Sequence, residues 1–318
     1  MSADHVHRTT HEITVAAPAD VVYGIVSDAT KWPLYFPPNV HVEQLEFDGA
    51  RERLRMWAMA NGRTKSWTSR RVLDRERRRV EFRQEQSAAP VRSMRGTWIV
   101  EPLGTDRSRL TLLHDFTVAG DIASDVEWVE RATDTNSRAE LASLKELAER
   151  WARLDDLTLS FEDSVRVAGS AESVYEFLYR VRDWPELVPH VSRLDVVEDE
   201  PGVQVMSMDT RTADGSSHTT ESVRVCFPHA GRIVYKQTVT PALMSAHIGE
   251  WQVVPDISGV TVVSHHSVVV REENIRRVLG EKAGVAEARR YLREALGRNS
   301  GVTLDLAKQH AERKAVNS

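Results

Sequence analysis

From His11 to Ala16 the chain alternates polar and apolar side chains, the period-two signature of a short, half-wet strand. Pro18 then suits the first turn of a helix, where its missing N–H breaks no bond. Val21, Val22, Ile25 and Val26 continue that helix as an apolar stripe. A second short helix is predicted over Trp32 to Phe36, ended by Pro37 and Pro38. Six strand-like runs follow: Val40–Phe47, Glu52–Met59, Thr64–Leu73, Arg79–Gln86, Arg92–Val100 and Arg109–Val118. Turn signals such as Asp48-Gly49, Asn61-Gly62 and Gly104-Thr105-Asp106 separate them, and hairpins in succession predict an antiparallel sheet. From Ser124 to about Leu154 the pattern becomes one long amphipathic helix, with Ala139, Leu141, Leu144, Leu147, Ala148 and Trp151 on its buried face.

The same order then repeats. TVAAPADVVYGIVSDATKWPLYFP, from Thr14, aligns without a gap on RVAGSAESVYEFLYRVRDWPELVP, from Arg166. Farther along, Val80 to Gln84 faces Ile233 to Gln237, Gly96 and Trp98 face Gly249 and Trp251, and Arg71 meets Arg224. The spacing N-S-x-x-x-L-x-x-x-K-x-x-A-E-R occurs at Asn136–Arg150 and again at Asn299–Arg313. The second half ends in a helix predicted from about Val285 to Lys314. A duplicated unit sets domain boundaries without any guess about function, and we place them at residues 1–155 and 156–318. The class is α+β, each domain a curved antiparallel sheet around a long C-terminal helix. Such a sheet cannot bring its whole concave face against one helix, so an apolar cavity with a few convergent polar groups is expected between them.

Strand parity decides which side chains enter that cavity. Trp67, Ser69 and Arg71 share one face, Thr68 and Arg70 the other. Trp67 in the row, and an arginine kept at the matching place as Arg224 beside Ser222, point Arg71 and Arg224 inward; the competing reading is an exposed arginine on a half-wet strand. On the last strand Leu110, Leu112 and His114 share a face. His114 is then either an acid/base group, since histidine titrates near neutrality, or a structural histidine bonded to backbone. In the second half one of His265 and His266 faces inward, and His266 is preferred.

The 318 residues amount to about twice an ordinary domain, in keeping with the duplication. Apolar residues at 41% and charged residues at 28% describe a globular protein, and a net charge of −5 gives no drive toward a phosphate backbone, so no nucleic-acid partner is expected. Cys226 is the sole cysteine, which excludes an internal disulfide and a paired-cysteine metal site. The polar start and the lack of about 18 consecutive apolar residues predict a cytoplasmic chain outside any membrane. Without H-E-x-x-H, G-x-S-x-G or a P-loop, hydrolysis by a familiar nucleophile or metal is not indicated. RERRR at Arg75–Arg79 reads as a solvated hairpin tip or as a docking run for an acidic carrier. His5, His7 and His11 lack the carboxylate frame of a metal trap, and no metal is expected.

With these residues in view, the chain resembles the aromatase/cyclases of bacterial type II polyketide synthases, within the Bet v 1-like or START-like helix-grip superfamily. APADVVYGIVSDATKWPLYFP, NGRTKSWTSRRV, SMRGTW, HDF and NSRAELASLK carry the likeness over nearly the whole first half, and the second half repeats them more weakly, as in the didomain branch. The resemblance implies pocket positions at Trp32, Trp67, Ser69, Arg71, Met94, Trp98 and His114, with Trp251 as the counterpart of Trp98. Two departures stand out: Asn39 lies near the place of a family tyrosine, and Thr220 occupies the place of Trp67. The implied activity is cofactor-free first-ring closure and dehydration of a poly-β-ketone held on an acyl carrier protein and already acted on by ketosynthase and ketoreductase. In that chemistry Arg71 or Arg224 steadies an enolate oxygen, His114 or His266 moves a proton, and Ser69 bonds a substrate oxygen. A non-catalytic carrier or chaperone of apolar ligands is the rival expectation, as is a division in which only one half is catalytic.

Overall fold

The computed structural model describes residues 5–60, 62–211, 215 and 217–316, so Asn61 of the predicted turn lies outside the described residues. The chain divides into two units, Met1–Arg153 and Leu154–Ser318.

In the first unit, β1 (His7–Val15), α1 (Ala19–Ser27) and α2 (Trp32–Tyr35) precede β2 (Asn39–Phe47), β3 (Arg51–Ala60), β4 (Arg63–Asp74), β5 (Arg79–Gln84), β6 (Val91–Pro102) and β7 (Ser108–Val118). Helix α3 (Ala123–Glu149) follows. The sheet is antiparallel in the order β1-β7-β6-β5-β4-β3-β2, a meander closed by the return of β7 beside β1. Alternation on β7 buries Leu110 and Leu112 against α1 and the Leu141, Leu144 and Ala148 face of α3, and Phe116 with Val129 of the same helix. His7 and His11, weighed as metal ligands, instead bond to Asp121 (2.7 Å) and Asp134 (2.9 Å). The basic run is largely neutralised: Arg77 pairs with Asp74, Arg78 with Asp20 and Arg79 with Glu81.

Two boundaries differ from the sequence pattern by more than two residues. β1 starts at His7 rather than His11, because pairing with β7 supplies the register that its polar residues do not advertise. The helix expected to run unbroken to Leu154 stops at Glu149. Arg150 leaves helical dihedrals (φ −102°, ψ 3°) and its N–H bonds back to Leu147 O, after which α4 (Trp151–Leu157) begins anew.

The second unit repeats the plan with β8 (Thr158–Val167), α5 (Ala171–Tyr179), α6 (Trp184–Leu187), β9 (Val191–Glu200), β10 (Val203–Arg211), β11 (Ser217–Phe227), β12 (Arg232–Val239), β13 (Met244–Asp256) and β14 (Gly259–Val270). A short α7 (Ile275–Leu279), which the repeat did not announce, precedes α8 (Val285–Val316). The strand order β8-β14-β13-β12-β11-β10-β9 matches the first sheet. None of the described helices is long and apolar enough to cross a membrane.

Candidate active site

Strand pairing lays six residues of the first unit in one row across the concave face. Glu52 sits opposite Arg71, Arg71 opposite Phe82, Phe82 opposite Gly96, Gly96 opposite His114, and His114 opposite Thr9. Directly paired residues share a face, so the row is a consequence of register. A Cβ on Gly96 would come within 2.4 Å of Phe82 Cζ and 2.6 Å of Leu113 O. Only glycine lets the Phe82 ring cross β6 and meet His114 edge-on, centroids 5.6 Å apart.

Arg71 is buried, 4% exposed. Its Nη2 donates to Val26 O (2.7 Å) and Ser27 O (2.9 Å) at the C-terminus of α1, where carbonyls and the helix dipole favour a cation. Its Nε lies 3.3 Å from Glu52, and its guanidinium faces the Trp32 ring at 5.3 Å. Trp32 is held in place by its own N–H, bonded to Ile25 O at 2.9 Å. Among the described residues the buried Nη1 meets no hydrogen-bond partner. A donor left idle in a buried, charged group is costly and marks a place for a ligand oxygen.

Sequence reasoning missed Glu140. It lies on the stripe of α3 that also buries Thr133, Ser137, Leu141 and Leu144. Burial pushes its carboxyl up to about 7, with the Arg71 guanidinium pulling it back down. Yet Glu140 keeps accessible surface, as do Trp32, Trp67, Met94 and His114. Strong desolvation with some surface left accessible is what a side chain lining an internal hollow would show. The only sequence signal was a glutamate inside an apolar helical stripe. Burial likewise lowers His114 to about 4, leaving a neutral imidazole whose Nδ1 is buried without a partner.

The other expected residues sort by depth. Trp67 joins Trp32 around Ala29, Val42, Leu54 and Met56 at one wall. Met94 packs with Phe116, Val118 and Val129 at the other. Trp98 and Leu112 are buried, 3% and 0% exposed, in the cluster that also takes in α1 and Leu141 and Leu144 of α3. Ser69 is buried, but its O–H is spent on Arg83 O (3.1 Å), so it offers a substrate only an acceptor.

The second unit carries the same row with altered chemistry: Gln204, Arg224, Tyr235, Gly249, His266, Phe161. Arg224, 2% exposed, donates to Leu178 O (2.5 Å) at the end of α5 and to Gln204 Oε1 (2.9 Å), and it faces Trp184 at 5.7 Å. An amide thus replaces the carboxylate of Glu52, and burial, the dominant effect on Arg224, pulls its affinity for the proton below the ordinary value. Of the two adjacent histidines, His266 is buried and His265 half-exposed. Ser222 and Trp251 are buried, at 4% and 6% exposure. Two open depressions are present. A cleft of about 890 Å³ is lined by the outward side chains Arg70, Glu81, Arg83, Arg95 and Asp115 and also touches Glu52, Arg71, Phe82 and Gly96 of the first row. A groove of about 750 Å³ lies between α5 and the turns at Gly202 and Gly231.

Two antiparallel sheets, each paired with a long helix and each carrying a buried arginine in its cross-strand row, define a tandem helix-grip protein. The chain belongs to the polyketide cyclase / dehydrase and lipid transport family, whose model matches residues 6–149 and again 158–300. It is 45% identical over 309 residues, 97% of this chain and 95% of the relative, to the granaticin polyketide synthase bifunctional cyclase/dehydratase of Streptomyces violaceoruber. To the corresponding actinorhodin protein of Streptomyces coelicolor it is 42% identical over 314 residues, covering 96% of each chain. Among solved structures it is similar to the di-domain ARO/CYC BexL of the BE-7585A biosynthetic pathway, with 50% identity and a TM-score of 0.90 over 96% of this chain and 99% of that one. The di-domain ARO/CYC StfQ of the steffimycin pathway is 34% identical, with a TM-score of 0.86 over 96% and 99% of the respective chains.

Proposed function

We propose that this chain is a cofactor-free aromatase/cyclase. It closes, dehydrates and aromatises the first ring of a ketoreduced poly-β-ketone delivered on an acyl carrier protein by a type II polyketide synthase. The observation that carries this reading is the cross-strand row holding buried Arg71 and His114, with Glu140 near enough to feel the Arg71 charge, and a second row of the same kind holding Arg224 and His266. The names of the relatives at 45% and 42% identity point the same way.

The chemistry follows from the groups present. A poly-β-ketone cyclises readily and wrongly in water, so a dry hollow that holds one folded conformer supplies proximity and excludes side reactions. Ring closure begins with loss of a proton from a carbon between two carbonyls, and charge builds on oxygen. Arg71 Nη1 is placed to receive that oxygen, since Nη2 is fixed on the α1 carbonyls and Nε lies against the Glu52 carboxylate. Glu140, with a carboxyl near 7, is poised to accept the proton, and neutral His114 to pass one onward. Atoms balance without an external oxidant: each aldol closure only relocates a proton, and each dehydration releases water. A carrier that merely binds would have no use for a half-ionised carboxyl beside an idle guanidinium donor, which favours catalysis over storage.

The test is reconstitution of a minimal synthase with its ketoreductase, with and without the chain, followed by product identification. The expected result is one regiochemistry with the chain and a mixture of shunt products without it. Identical product mixtures contradict the reading.

A further inference from the structure

Comparison of the two rows exposes a second set of proton-carrying groups. Where the first unit has Phe82, Met94 and Leu112 around His114, the second has Tyr235, His247 and Ser264 around His266. Three apolar side chains are thus replaced by three hydrogen-bonding ones at matching positions. They form one connected set. His266 Nδ1 lies 3.0 Å from His247 Nε2 and 3.2 Å from the Tyr235 hydroxyl, and His266 Nε2 lies 3.1 Å from Ser264 Oγ. The two imidazoles stack, centroids 5.3 Å apart at 25°. Phe161 stacks on the far face of His266 at 4.9 Å, and Arg293 of α8 covers Phe161 at 4.3 Å, which places the set on the concave face under the helix.

Two features show that the set is more than a filled core. His247 is 2% exposed, yet its Nδ1 is buried with no partner, an idle polar atom at the end of a hydrogen-bonded chain. Tyr235 keeps accessible surface although burial pushes its phenol well up, as Glu140 does in the first unit. Gly249 makes the arrangement possible: a Cβ there would lie 2.2 Å from Tyr235 Cζ. Arg224 is the neighbour of Tyr235 in the row, so a fixed cation stands beside the chain of proton carriers.

We propose that the second unit performs dehydration of a β-hydroxy ketone, with His247, His266 and Tyr235 as its proton relay. The proposal rests on the cyclase/dehydratase reading above and assigns one of its steps. His247 Nδ1 takes the proton from the carbon between carbonyl and carbinol, and the C–H electron pair moves into an enolate whose oxygen faces Arg224. The proton on His247 Nε2 passes to His266 Nδ1 as Tyr235 gives its own to the departing hydroxyl and is resupplied by His266. The C–O bond breaks, the carbon–carbon double bond forms and water leaves, with no net gain or loss of protons by the protein. A neutral relay suits this site, because burial, aided by their mutual repulsion, keeps His247 uncharged, and burial holds His266 near 4. The first unit has a single histidine at this place and keeps Glu140, whose counterpart in the second unit is Thr303.

The test uses the full chain reconstituted with a minimal synthase and ketoreductase, and follows ring closure and loss of water separately by mass spectrometry. His247→Met and Tyr235→Phe each install the residue that the first unit folds with, and thermal unfolding reports their integrity. Each is expected to leave ring closure unchanged and to slow dehydration by roughly 10²-fold or more, so that the cyclised carbinol accumulates. A wild-type ratio of carbinol to arene in both variants overturns the relay while leaving the cyclase reading intact. An equal loss of both steps marks a structural role and also overturns it. Failure of the wild-type chain to alter either step removes the cyclase reading itself.

Discussion

Arg71 shows how far a residue can be read from alternation alone. Parity placed it beside Trp67 and Ser69 on one face, and burial confirms that orientation. Its partners were illegible, because Glu52, Val26 and Ser27 meet it only through pairing and through the docking of α1. Those partners make Arg71 structural as well as chemical. Arg71→Ala is expected to cost about 3–5 kcal/mol, since it strands the buried Glu52 carboxylate and two carbonyls. Urea unfolding measures this, and an unchanged midpoint contradicts it. Glu140 separates chemistry from stability more cleanly. Glu140→Gln keeps the shape but removes the proton acceptor, so cyclisation should slow by roughly 10²-fold or more while stability holds or rises. Single-turnover kinetics beside a thermal melt reads both, and an unaltered rate removes Glu140 from the mechanism.

At the scale of elements, period-two and period-3.6 patterns found all seven strands and the long helix of the first unit. The break at Arg150 escaped, because no proline or glycine marks it and the apolar stripe runs on through Trp151. Gly96 and Gly249 were visible only as an aligned pair. Their role emerged once cross-strand partners showed an aromatic ring lying over each. Gly96→Ala therefore pushes against Phe82 and against the Leu113 carbonyl, which as backbone cannot step aside. The expected loss is about 1–3 kcal/mol, together with displacement of Phe82 from His114. Chemical denaturation and the His114 ring resonances report these two effects, and no change in either contradicts the row.

Across the whole molecule the duplication was plain in sequence, whereas the second unit's loss of Glu140 to Thr303 and gain of His247 beside His266 were not. The histidine pair needed both registers, since His247 and His266 lie on different strands. Buried neutral histidines also give the molecule a pH signature. His114 and His266 have values near 4 in the fold, below the roughly 6.5 of an unfolded histidine. His247, His190 and His218 shift the same way through burial. At these histidines the unfolded chain therefore binds more protons than the folded one between about pH 6.5 and pH 4, while Glu140, raised to about 7, works in the opposite direction. The stability these histidines contribute is present above that window and is lost as pH falls through it. Melting temperatures across it should drop, and less steeply in His247→Met; parallel profiles contradict the assignment.

The most direct test is a crystal structure with a poly-β-ketone mimic whose carbonyls are locked against cyclisation. The account predicts the mimic inside the first unit's hollow, with an oxygen within hydrogen-bond distance of Arg71 Nη1 and the chain between Trp67 and His114. A mimic seated only in the outer cleft at Arg70 and Arg83, or a hollow closed by side chains, would contradict it.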